Sequence, residues 1–158
     1  MKFGDIVIIL GSLTVAFFLF DSVFSLALVS ATGSDYGAML AVILSILLSG
    51  LVVGYVFAGK IQEESRRASI GKVVVLFAVL MMLAVWTTGG ATAHYSAWVD
   101  ENLKNMYNTT SWANVDWFWF EMTLTMAITA IYAVYTLVFG FIGLYVGSMR
   151  KPSAKTKV

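Results

Sequence analysis

The sequence predicts an all-α polytopic membrane protein: four transmembrane helices in two hairpins, with a short interfacial helix on the outer side. Three observations point to it. Of the 158 residues, 59% are hydrophobic and only 12% are charged. Soluble domains run at roughly 45–50% apolar and about 25% charged, so water is a poor solvent for this chain and lipid a good one. Four apolar runs are each long enough to cross a ~30 Å hydrocarbon core. Finally, Lys and Arg gather on one side of those runs.

The first span covers residues 6–30 and holds one charge, Asp21. At ~1.5 Å per residue such a helix crosses the bilayer with tilt. Val29-Ser30-Ala31 has the small residues of a signal-peptidase cleavage site. The apolar run exceeds the ~7–15 residues of a signal peptide, so the span is expected to be retained. A polar turn over residues 31–36 leads to the second span, residues 37–59, which carries no charge.

Residues 60–72, KIQEESRRASIGK, form the long charged interruption around which the topology is ordered. Lys60, Arg66, Arg67 and Lys72 outnumber Glu63 and Glu64 there. Basic residues beside a span stay on the cytoplasmic side. Arg66-Arg67-Ala68-Ser69 has the look of a basophilic kinase site, but a short basic stop signal explains it. The third span covers residues 73–91 and the fourth residues 117–149, with Asp116 as N-cap of the latter. Arg150-Lys151-Pro152 ends it, and residues 150–158 form a basic cytoplasmic tail. Lys2, Lys60, Arg66, Arg67, Lys72, Arg150, Lys151, Lys155 and Lys157 fall on one side and Lys104 alone on the other. Both termini are therefore expected in the cytoplasm.

Residues 92–116 form the outer segment. Tyr95, Val99, Leu103 and Met106 recur at helical spacing, with Asp100, Glu101, Lys104 and Asn105 opposite, as in a helix lying in the headgroup plane. Trp98, Trp112, Trp117 and Trp119 would anchor it, because indoles favour the interface. An aromatic docking surface for a lipid or partner is the sharper alternative. Asn108-Thr109-Thr110 is a glycosylation sequon on that side.

Two acidic residues bear on function. Asp21 lies ~13 Å from the outer end of its span by helical rise. A charge at a helix centre costs ~2.5–3.5 kcal/mol. Thr14, Phe18, Ser22 and Ser25 fall near its face, and no Lys, Arg or His lies at its depth in any span. A neutral Asp hydrogen-bonded to a hydroxyl on a neighbouring helix is the structural expectation. A proton or cation relay is the functional one, and pairing with a cation on another subunit the third. Glu121, about a turn inside the fourth span, is expected to reach the headgroups, with a part in ion coupling as the alternative.

Small residues mark packing faces. Gly37, Ala41, Ser45 and Ser49 form one stripe on the second span, and Gly50, Gly54 and Ala58 form another. Gly143 and Gly147 repeat the spacing in the fourth. Such stripes let backbones approach closely in lipid, within the chain or between subunits.

Composition also excludes. There is no cysteine, so disulfides, thiolate metal sites and thiol catalysis are absent from this chain. The single histidine, His94, with Asp100 and Glu101 has no metal-site motif; no metal or cofactor is expected. The net charge of +1 argues against nucleic acid. Four spans with an acid in the first is similar to the small multidrug transporters, but the outer segment is longer and the charge one-sided. Asp100 and Asp116 are placed much as in signal peptidase II, where two carboxylates activate a water. However, Asn114-Val115-Asp116 departs from that family's motif spacing, and nothing matching surrounds Asp100. The reading is a non-enzymatic accessory or assembly subunit whose partners are the bilayer and other membrane subunits or itself. The alternative is a small proton- or cation-coupled transporter with Asp21 as coupling residue.

Overall fold

The computed structural model describes residues 1–33, 35–88 and 117–150. Its elements are α1 (Phe3–Thr32), α2 (Asp35–Val56), the short α3 (Ala58–Gln62), α4 (Arg66–Thr88) and α5 (Trp117–Gly147). Four of them, α1, α2, α4 and α5, are long and apolar enough to cross a membrane, as in a multi-pass membrane protein. In hydrocarbon the backbone must satisfy its own hydrogen bonds, which helices do. Four hydroxyl side chains within the spans follow the same rule. Thr14, Ser22, Ser45 and Thr129 each donate to the carbonyl four residues back, on Leu10, Phe18, Ala41 and Thr125.

The helix ends differ from the hydropathy boundaries for local reasons. α1 runs on to Thr32 and stops at Gly33, whose φ of 60° is left-handed and whose N–H donates to the Val29 carbonyl at 2.8 Å. Glycine takes that conformation without a Cβ clash. α2 stops at Val56, and Phe57, at φ −100° and ψ 16°, turns the chain into α3. α4 starts at Arg66 rather than near residue 73. Arg, Ala and Lys are good helix formers, and their long stems let the charges reach water from an apolar helix. The charged connector is thus largely helical, with residues 63–65 as its non-helical part. The expected interfacial helix over 92–116 and the tail after Arg150 lie outside the described residues.

The chain divides into two compact units: Met1–Ala78 with the stretch from Tyr135 onward, and Val79–Val134. In the first, α1 buries Ile9, Leu13 and Phe17 on one line, and Phe17 meets Phe77 of α4 edge-on at 6.0 Å between ring centres. Ile46, Ile61, Ile70, Val73, Val74 and Leu144 are among the other buried residues of its core. In the second, Met81, Thr125, Ile128 and Thr129 are buried.

Candidate functional site

Asp21 continues the buried line of α1. Ile9, Leu13, Phe17 and Asp21 are spaced by four, and so share one face of the helix. The line stays apolar through Phe17 and then meets a carboxylate. Asp21 lies roughly 16 Å from the Thr32 end of α1 at ~1.5 Å per residue. Its Oδ1 is buried and has no hydrogen-bond partner among the described residues. The hydroxyl that interacts with the carboxyl belongs to Ser25, one turn on in the same helix. The hydroxyl on a neighbouring helix that the sequence suggests is not found among the described residues. Ser22 is exposed and donates to the Phe18 carbonyl, and Phe18 is exposed as well. Glu121 lies on α5, where its backbone alone is described.

The small-residue stripes lie against other parts of the same unit. A methyl group built on Gly54 would come within 2.8 Å of the Leu144 carbonyl and 3.1 Å of the Gly147 Cα. On Gly147 it would meet the Leu51 carbonyl at 2.6 Å and the Gly54 Cα at 3.0 Å. Gly50 and Gly143 oppose each other in the same way. The stripes on α2 and α5 therefore face each other backbone to backbone. On the other stripe, a methyl on Gly37 would meet the Leu28 carbonyl of α1 at 2.8 Å. Ala41, Ser45 and Ser49 are fully buried, and Ala58 nearly so. Of the tryptophans, Trp117 opens α5 and Trp119 is exposed, while Trp98 and Trp112 lie outside the described residues. His94, Asp100, Asn108 and Asp116 lie outside them too.

The polar contacts of the first unit bring three stretches of chain to one end of its helices. Lys60 Nζ lies 2.7 Å from Asp5 Oδ1. The N-terminal ammonium of Met1 pairs with Glu64. This ammonium is the main cause that holds the Glu64 carboxyl below its ordinary value, with Lys72 and Ser69 acting in the same direction. Gln62 Nε2 donates to the carbonyls of Ser148 at 3.0 Å and Arg150 at 2.9 Å, which caps the end of α5. Arg150 sits 3.9 Å over the Tyr55 ring, a cation–π contact. Neither Gln62 nor Tyr55 stands out in the sequence, because each acts on a partner over eighty residues away. Ser69, the hydroxyl of the kinase-like motif, is fully buried, which leaves it closed to modification.

No group of three or more His, Cys, Asp or Glu side chains able to hold a metal ion occurs among the described residues. No protein-family model, curated protein or solved structure shows significant similarity to this chain.

Proposed function

We propose that this chain is a non-enzymatic membrane protein that works as an accessory or assembly subunit, joined to another transmembrane helix through the face of α1 that carries Asp21. The observation that carries the reading is the buried, unpartnered Oδ1 of Asp21. A polar atom left without a hydrogen bond in an apolar setting is costly, and in a bilayer no bulk water reaches it. Asp21 is only half-buried, so a turn of its carboxylate brings that oxygen to the accessible side, where a Ser, Thr, Tyr, Lys or Arg of a partner helix has the right chemistry to donate to it. The coverage of the helices points to α1 as the helix with the most free surface. Only 17% of the apolar window of α1 is buried, against 39%, 39% and 33% for α2, α4 and α5.

Sidedness belongs to this proposal. The ends joined by Lys60–Asp5, Met1–Glu64 and Gln62–Ser148 carry the basic residues, and basic ends stay inside. Both termini are then cytoplasmic. The second reading is a proton- or cation-coupled transporter. The same free carboxylate oxygen favours it, because a coupling group must exchange its proton or ion.

Mild detergent extraction followed by mass measurement of the protein part tests the assembly reading. A particle heavier than one 17.3 kDa chain is expected, either a complex with other subunits or a homo-oligomer. A lone chain in several mild detergents and in native lipid discs would contradict it.

A further inference from the structure

We propose that the face between α1 and α4 at the basic end binds one anionic phospholipid, with its phosphate on Arg67 and Lys72 and an acyl chain in the groove below them. This goes beyond the assembly reading and does not depend on Asp21. An open-sided groove of about 510 Å³ is lined by Ile6 of α1 and by Gly71, Lys72, Val75 and Leu76 of α4. Apart from Lys72, every lining residue is apolar. Gly71 makes the floor: a methyl group built there meets nothing within 4 Å, so the missing side chain leaves room for a ligand.

The charge above the groove is not neutralised. Arg67 lies one turn before Gly71, on the same line of α4 as Gly71 and Val75. It is exposed and makes no ion pair among the described residues. Lys72 is 57% exposed, and its ammonium is 3.8 Å from Glu64, beyond hydrogen-bond length. Glu64 is already engaged by the N-terminal ammonium. Two cations with a spare charge therefore stand at the mouth of an apolar trough. A long cationic side chain rooted in a span sends its charge to the headgroup layer. A phosphodiester there meets both cations while its acyl chain stays in hydrocarbon, the arrangement basic residues beside a span offer anionic lipids. A zwitterionic lipid would bring its own cation up against Arg67 and Lys72.

Native mass spectrometry of the full chain, titrated with phosphatidylglycerol and with phosphatidylcholine, tests this. One phosphatidylglycerol should bind at least tenfold more tightly than phosphatidylcholine. R67Q and K72Q should each weaken it at least fivefold. G71L, which fills open space and does not threaten the fold, should weaken it at least tenfold. R150Q removes one charge at the same end but outside the groove, and should leave binding within twofold of wild type. Equal binding of the two lipids would overturn the proposal. So would an R150Q loss as large as that of R67Q, which marks general charge attraction. Unchanged binding by G71L, or displacement by millimolar inorganic phosphate, would mark a phosphate contact without a lipid seat and would also overturn it.

Discussion

A methyl group built on Gly50 of α2 would lie 3.0 Å from the Cα of Gly143 on α5, and one on Gly143 would lie 3.0 Å from the Cα of Gly50. The two helices thus touch through backbone, and neither position has room for a side chain without a shift. Gly50→Ala and Gly143→Ala should each destabilise the chain by about 1–3 kcal/mol, the usual cost of overpacking. Gly54→Leu should do worse and act on the folding of the single chain rather than on subunit assembly. Gly11 is exposed and has nothing within 4 Å, so Gly11→Ala should be neutral or stabilising by up to ~1 kcal/mol. Unfolding in mixed micelles measures all four. Equal effects for Gly11→Ala and Gly143→Ala would contradict the contact.

Gly33 ends α1 in the left-handed region at φ 60°. A Cβ there costs roughly 1–2 kcal/mol, although the space around it is open. Gly33→Ala should lower stability by that amount and Gly33→Asn by less, because Asn tolerates this conformation. Matched unfolding curves for the two variants would mean that backbone strain is not the cause.

The existence of the four long helices was legible because length and charge-free runs suffice to mark them. Their ends were not. Hydropathy reports where lipid lies, whereas α4 begins at Arg66 on helix-forming residues that tolerate both media. The short α3 straddles the expected boundary between the second span and the charged connector, where hydropathy changes without marking a break in the helix. The glycine spacing was plain in the sequence, but which helix each stripe faces depends on tertiary packing that spacing does not encode. Asp21 stood out as a charge in a span. That Ser22 and Phe18 turn outward, although helical spacing had grouped them with Asp21, and that no hydroxyl of another described helix reaches Oδ1 both depend on packing that spacing does not encode. The groove at Ile6 and Gly71 joins two helices sixty-five positions apart and left no mark in the pattern.

Sidedness can be tested cleanly because the chain has no native cysteine. Ser65 is exposed between α3 and α4. A cysteine introduced by S65C should resist an impermeant thiol reagent added to intact cells and react once the membrane is opened. Reaction before opening would place the basic end outside.

Asp21 decides between the assembly and transport readings. If Oδ1 accepts a hydrogen bond from a partner helix, Asp21→Asn keeps an accepting oxygen of the same size and should preserve the complex. Asp21→Leu leaves the partner's donor unpaired, at ~1–3 kcal/mol, and should release the chain as a single subunit. The direct measurement pairs the mass of the extracted particle with pH-driven flux in proteoliposomes for wild type, Asp21→Asn and Asp21→Leu. The account predicts no pH-driven flux for wild type, an intact complex for Asp21→Asn and a dissociated one for Asp21→Leu. A wild-type flux that Asp21→Asn abolishes while the complex stays intact would contradict it and make Asp21 a coupling residue.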